Sequence, residues 1–268
     1  MTEHISADIV IIGSGIAGAG LAAALDYGPK VVIIEQESQP GYHSTGRSAA
    51  IFIQNYGNET IQRLSRASAP MFAAADPAYF PSPLLSPRGI LFVADEEGKA
   101  EHEAQFASAE GIADLDPADA VRMVPLLNES WVAAADYEAD AQDIDVNALH
   151  QGWLRKAKDA GARIVTRAPV EGGRRLGSAW VIAAGDTQIT APVVVNAAGA
   201  WADRVAERFG VRTLGMTPMR RTIAVLPAPG GYASDGWPLV ADTRERWYFK
   251  PEAGRLLVSP ADEDPVEP

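Results

Sequence analysis

The sequence predicts an α/β fold, in part a parallel sheet covered by helices and in part a more antiparallel sheet, with the chain crossing between the two. Three observations predict it. A short apolar run, Asp8 to Ile12, ends directly in glycine, is followed by an alanine- and leucine-rich stretch, and gives way to a second apolar run from Lys30 that ends at Glu35. A long segment of small and polar residues, Gln39 to Ala50, then stands where a plain alternating fold would continue with helices and strands. Later short strands, many with β-branched residues, return to the first layer only after a detour through mixed patterns.

The elements follow in order. Apolar runs that stop at a glycine or an acid read as buried parallel strands, which fits Asp8–Ile12 and Lys30–Ile34. Between them Ile16 to Tyr27 reads as a helix closed by Gly28-Pro29. A strand at Ile90–Val93 and a helix over 98–110 come next. Asp145 reads as the N-cap of a helix from Val146 to Ala160, because Val146, Leu149, Trp153, Leu154 and Ala157 keep helical spacing and Gly161 sits just past its end. Strands follow at Arg163–Thr166, Trp180–Ala183 and Val193–Asn196, then a helix to about Phe209, and strands at Arg221–Leu226, Arg246–Lys250 and Arg255–Ser259. Segments 7–50 and 146–209 read as one α/β domain, and 51–145 with 210–268 as a second, more antiparallel one.

The first motif is Gly13-Ser14-Gly15-Ile16-Ala17-Gly18, a G-x-G-x-x-G between a strand and a helix. Gly13 permits the tight turn, Gly15 lets backbone approach a pyrophosphate, and Gly18 lets helix and strand pack closely. The helix N-terminus presents free N–H groups and partial positive charge to the phosphates. Glu35, at the end of the second strand, is placed to accept hydrogen bonds from ribose hydroxyls, and an acid there disfavours a 2′-phosphate. The motif by itself does not separate FAD from NAD. Two small-residue turns at strand ends, Gly41 to Ala50 and Asn196-Ala197-Ala198-Gly199-Ala200-Trp201-Ala202-Asp203, suit backbone contact with an elongated cofactor.

Composition excludes other classes. The formal charge is −12, from 23 basic and 35 acidic residues, so the surface field repels nucleic acid and anionic membranes. There is no cysteine, hence no disulfide framework, thiolate zinc site or cysteine nucleophile. His4, His102 and His150 are scattered without metal spacing, so no metal is expected. No stretch reaches the roughly 18 uninterrupted apolar residues of a membrane span, and the polar N-terminus lacks a signal-peptide pattern, which makes a cytoplasmic protein the expectation.

Over essentially its whole length the chain resembles the D-amino-acid oxidase family of FAD enzymes and, within it, the FAD-dependent D-arginine dehydrogenases. The resemblance rests on GYHSTGRSAA, PLLSPR, a near match at DIDVNALHQGWLR, VVNAAGAWAD, the paired Arg220-Arg221 and SPADEDPVEP. It implies a Rossmann-like FAD-binding domain of the glutathione-reductase type interleaved with an antiparallel-sheet substrate domain. It also implies FAD contacts at Ala17, Glu35, Gln36 and the run Ser44, Thr45, Gly46, Arg47, Ser48, Ala49, Ala50 and Ile51. Val170 would meet the adenine side through its backbone, and Ala198, Gly199 and Trp201 belong to the second cofactor turn. Histidine is sometimes a flavin attachment point in related enzymes, but His43 is expected only to hydrogen-bond, so the FAD is expected to be non-covalent. Tyr56, Arg221 and Tyr248 would face the substrate, with Arg221 holding its carboxylate.

Strand alternation adds a physical check. Arg220 and Arg221 should point to opposite faces, and Arg221 should share the more apolar one with Ile223 and Val225, where a guanidinium requires an anion. The chain departs from the D-arginine dehydrogenases where they carry a histidine, a threonine and a glutamate; Ile51, Ile53 and, allowing a small local shift, Ile90 stand there. Family members also continue past SPADEDPVEP, so a C-terminal part is expected to be missing. The expected reaction is oxidative deamination of a neutral or apolar D-amino acid by hydride transfer from Cα to flavin N5, giving a 2-oxo acid and ammonia. Quinone or oxygen would be the electron acceptor. Oxidation of another amine or of a 2-hydroxy acid, an inactive truncated flavin-binding module, and a plain NAD dehydrogenase are the alternatives.

Overall fold

Two runs of β-branched residues set the first layer. In a computed structural model that describes residues 2–107 and 109–268, the strands Ile9–Ile12 and Val31–Ile34 lie parallel, with Ile9 opposite Val31 and Ile12 opposite Ile34. Arg163–Val165 joins beyond Val31–Ile34, and Val193–Asn196 joins beyond Ile9–Ile12, so that all four strands run parallel. Both faces of such a sheet need cover. On one face the helices Ile16–Ala24 and Val146–Asp159 pack over Ile11, Val31 and Ile33, with Ala22 and Ala157 at the contact. On the other, Val10, Ile12, Val32 and Ile34 pack with Ile5, Ile182, Ile189 and Phe209, from a second sheet and the helix end beyond it.

That second sheet has the order Glu3–Ser6, Thr187–Ala191, Ala179–Ala184, Val170–Leu176. A separate seven-stranded sheet carries the detour segments. Its order is Ala224–Pro227, Arg255–Ser259, Tyr248–Glu252, Leu239–Asp242, Ile90–Ala94, Ala134–Glu138, Ile112–Leu115. Leu239–Asp242 and Ile90–Ala94 are parallel, and every other neighbouring pair is antiparallel. Helix Lys99–Phe106 is tied to this sheet by buried His102, whose Nε2 lies 2.7 Å from Asp136 and whose Nδ1 lies 2.6 Å from the Thr243 hydroxyl. Buried polar groups need such partners, so His102 holds structure. Short strands at Ile51–Phe52, Gln142–Ile144 and Leu85–Pro87 form a three-stranded sheet.

Several expectations shift. The strand expected from Arg221 to Leu226 is broken: Met219–Arg220 pairs with Asp264–Pro265, and a new strand starts only at Ala224. Ala224–Pro227 is a sheet edge exposed along its length, with Val225 46% exposed. The face shared by Arg221 and Val225 is therefore not an apolar interior. The polar start of the chain, expected to precede the first strand, itself forms the strand Glu3–Ser6. A 15-residue helix, Glu59–Ala73, was not expected, although Ile61, Leu64, Met71 and Phe72 keep helical spacing; none of its residues is buried.

Helix Val146–Asp159 begins as anticipated: the Asp145 carboxylate accepts the Ala148 N–H at 2.7 Å, and Gly161 takes φ +94° beyond its end. Asp145→Ala should lower stability by about 0.5–2 kcal/mol in urea unfolding. An unchanged midpoint and slope would show that the cap contributes nothing.

Candidate functional site

The glycine-rich turn is fixed by close backbone approach. Gly13 takes φ +103°, and a Cβ there would overlap the Ala197 carbonyl oxygen. A Cβ on Gly18 would overlap the Gly13 carbonyl oxygen. Neither position tolerates a side chain. Gly15 differs: its Cβ would meet only the Thr45 hydroxyl, at 3.2 Å. Its missing side chain serves the space in front of the turn.

Helix Ile16–Ala24 begins there. Among the described residues no side chain caps it from the N-cap position. The Ile16 N–H donates instead to Thr45 Oγ1 at 2.9 Å. Ala17 and Gly18, in the first turn, have N–H groups without intrahelical partners, at the positive end of the helix dipole. This cradle fits a dinucleotide pyrophosphate. Glu35 is buried beside it: Oε2 accepts from the Ser14 N–H (3.1 Å) and hydroxyl (2.5 Å), and Oε1 accepts from the Glu37 N–H (2.9 Å). A carboxylate has about four acceptor positions, so capacity remains for a ribose hydroxyl. Gln36 next to it is exposed.

The loop after Glu35 returns to this turn. Ser44–Arg47 makes a 3-10 turn in which the Gly46 N–H donates to the Gly41 carbonyl at 2.8 Å. Arg47 lies over the Tyr42 ring, 5.0 Å from its centroid. The Ser48 hydroxyl accepts the Ala50 N–H at 3.0 Å while Ala50 takes φ +48°, and Ala49 is half-buried before the Ile51–Phe52 strand. His43 Nε2 lies 2.9 Å from Glu37 Oε1, and its ring packs 4.6 Å from that of Trp201. The two small-residue turns seen in the sequence therefore meet each other. Ala198 and Gly199 lead into Trp201, with Gly199 at φ +54° and the Trp201 N–H donating to the Ala198 carbonyl at 3.0 Å. Val170 lies at the Glu35 corner: the Ala168 N–H, two residues before it, donates to the Glu35 carbonyl (2.9 Å), and Arg208 donates to the Val170 carbonyl.

Two residues given no role by sequence reasoning organise backbone around the site, His150 at the glycine turn and Asp203 at the 214–216 segment. His150, one of the scattered histidines, is buried with Nε2 2.7 Å from the Ser14 carbonyl, and a Cβ on Gly41 would meet its ring at 2.8 Å. Its spacing five residues after the Asp145 cap gives no such signal, because its partner lies 136 residues away. Asp203 accepts the N–H groups of Leu214, Gly215 and Met216 at 2.8–2.9 Å, and these bonds hold its carboxyl below the usual range.

A second corner gathers two of the residues expected to face a substrate, Arg221 and Tyr56. Arg221 Nη2 pairs with Glu263 at 2.6 Å and Nη1 donates to the Ala261 carbonyl at 2.9 Å. Its anion is internal, and its side chain is one-third exposed, not buried in apolar surroundings. Arg220 turns to the alternate residues Asp262 and Asp264, so the two arginines do diverge. Tyr56 is about half exposed, and partial burial followed by the nearby Glu245 carboxylate pushes its phenol up, so it stays protonated. Arg221 and Glu263 lie near enough to act on the same phenol. Tyr248 is opposite Ser259, whose hydroxyl accepts the Ala261 N–H at 3.0 Å. Next to this corner is a cavity of about 480 Å³ lined by Glu101, Gln105, Thr243, Arg244, Glu245, Ala261 and Glu263.

Ile51, Ile53, Ile90 and Tyr248 fall in one apolar cluster with Phe92 and Leu239. Ile53 and Ile90 are buried inside this cluster, while Ile51 and Tyr248 are partly buried at its margin. Glu138 is paired opposite Ile90, and burial pushes its carboxyl up, away from the charged form.

A glycine turn of this kind, with an acid on the next strand and a returning small-residue loop, defines a dinucleotide-binding oxidoreductase of the flavin type. Residues 8–268 match the family model DAO, FAD dependent oxidoreductase, so the chain belongs to that family, and its cofactor is FAD. It is 27% identical over its full length to FAD-dependent oxidoreductase domain-containing protein 1 of Bos taurus, of which it spans 65%. Over 82% of the chain it is 27% identical to the anaerobic glycerol-3-phosphate dehydrogenase of Escherichia coli (strain K12), in a stretch that covers 42% of the matching polypeptide. In fold it is similar to the FAD-bound L-alpha-glycerophosphate oxidase of Mycoplasma pneumoniae (TM-score 0.85, 18% identity, 97% of this chain and 72% of that one). It is likewise similar to glycine oxidase of Geobacillus kaustophilus (TM-score 0.78, 23% identity, 95% and 70%). No described helix is long and apolar enough to cross a membrane.

Gly15→Ala should leave the fold intact and reduce FAD retention about tenfold, because its Cβ intrudes on the cofactor side only. Gly18→Ala should instead destabilise the protein itself. Full flavin content in a folded Gly15→Ala variant would refute the cradle. Acid precipitation of the holoprotein should release all flavin to the supernatant; flavin in the pellet would identify His43 as an attachment point.

Proposed function

We propose that the whole protein oxidises the Cα–N bond of a D-amino acid with a neutral, apolar side chain, releasing a 2-oxo acid and ammonia. The observation that carries this reading is the corner around Arg221, where the guanidinium and the Tyr56 phenol stand behind two carboxylates, Glu245 and Glu263, that line the cavity. Mixed charge of this kind complements a zwitterion better than a phosphate dianion, because the cavity's own acids repel a second negative charge.

Bound FAD supplies the two-electron acceptor. The chain's own residues bind and orient. Arg221 offers to the substrate carboxylate the Nη2 edge that Glu263 otherwise holds, a match for its planar fork. Tyr56, protonated, fixes Glu245 on the other side of the corner. Tyr248 and Ile51 present an apolar wall, backed by Ile53 and Ile90, to the substrate side chain. Once the amine has lost its proton and Cα its hydride, water converts the imino acid to the 2-oxo acid. No side-chain base is required.

The side-chain preference follows from the wall. A guanidinium against Tyr248 and Ile51 would be desolvated without an acceptor, and Glu138 is driven toward its neutral form. Burying an apolar side chain there is worth roughly 1.5–3 kcal/mol. The full-length protein should therefore show a higher kcat/KM for D-phenylalanine than for D-arginine. A ratio favouring D-arginine would sink the assignment.

A further inference from the structure

Arg221 already has two partners, and they differ in character. The Ala261 carbonyl is fixed in place: Ala261 is buried, takes φ +48°, and is held through its N–H by the fully buried Ser259 hydroxyl. A non-glycine residue in the left-handed region persists only where its surroundings impose it. Glu263 is loose by comparison. Its side chain is 62% exposed, and among the described residues Arg221 is its hydrogen-bonding partner. The neighbours of Glu263 are tied down on the other side of the chain. Asp262 accepts from the Thr222 N–H and hydroxyl, which with Arg220 bring its carboxyl to about 2, and Asp264 pairs with Arg220. Glu263 thus swings on an anchored backbone.

We propose that Glu263 is a specificity-determining residue that selects amino acids over the corresponding 2-hydroxy acids by ion-pair exchange. This rests on the reading of Arg221 as the carboxylate anchor. A ligand carboxylate that takes the Nη2 edge of Arg221 displaces Glu263. An amino acid carries an ammonium one carbon from its carboxylate, so the displaced Glu263 gains a new cation as it loses the old one. Two ion pairs replace one. A 2-hydroxy acid brings an anion and no cation, and leaves Glu263 unpaired beside Glu245 and Glu101 at the same cavity. Arg244, which lines the same cavity, is already paired through Nη2 with Asp95 and Glu97. The net result is a penalty on every anionic ligand that lacks a positive group.

The exposure of the pair limits the size of the effect, which should be about fivefold. The test uses the full-length holoenzyme and two ligands that lack a Cα hydrogen and so bind without reacting. These are α-methyl-D-phenylalanine and the 2-hydroxy analogue with the same skeleton, each titrated against the flavin absorbance band. The wild type should bind the amino ligand at least about fivefold more tightly. Glu263→Gln should remove that preference, chiefly by tightening the hydroxy ligand. A ratio unchanged within twofold in Glu263→Gln overturns the proposal. Arg221→Ala separates the two layers of the argument. If it weakens both ligands while Glu263→Gln leaves the ratio intact, the anchor stands and only the role of Glu263 falls. If it weakens neither, the anchor itself is wrong.

Discussion

The contact on which the rest depends is backbone against backbone: Gly13 lies so close to Ala197 that no side chain fits between them. That approach joins the first strand of the parallel sheet to the turn that follows its last, because Ile9–Ile12 and Val193–Asn196 are neighbours and both end there. Gly18 closes on Gly13 from the helix side. The glycine turn is therefore rigid from two directions, and the N–H groups of the next helix open outward from it. The Gly18 contact is local to residues 13–18, but the Ala197 contact is not. It comes from a strand about 180 residues later in the chain.

From that junction the supports spread outward. Thr45 caps the helix start from the returning loop, His150 fixes the Ser14 carbonyl from the helix beneath, and Trp201 packs on His43. Each links segments far apart in sequence. The substrate corner is assembled the same way, from Tyr56, Glu245, Arg221 and Glu263 on four separate stretches. The Glu245 turn is itself held at φ +54° between pinned neighbours. Thr243 is held by His102, and Arg246 by Asp242 and Asp95. Both corners thus share a principle: their polar groups are presented largely by loops that are tied by polar contacts to distant parts of the chain.

What the sequence made legible was local. The glycine spacing, Glu35 at a strand end and the Asp145 cap are all patterns within about 20 residues, and each is where it was expected. The long small-residue segment was legible as a loop, although its return to the helix start through Thr45 was not. Helix Glu59–Ala73 was passed over although Asn58 caps it and Ile61, Leu64 and Met71 keep helical spacing, and the strand Glu3–Ser6 was hidden by its polar composition. Alternation puts Arg221 on an apolar face only if it is extended through a strand that is in fact interrupted. Its true partner, Glu263, lies 42 residues on, beyond the reach of periodicity.

The central claim is that the junction at Gly13 holds the ADP half of FAD. Titrating the apoprotein with FAD and with FMN, which lacks that half, tests it most directly by fluorescence. The account predicts that FAD binds at least about 100-fold more tightly, since only FAD engages the helix N-terminus and Glu35. Equal affinity for the two flavins would contradict it.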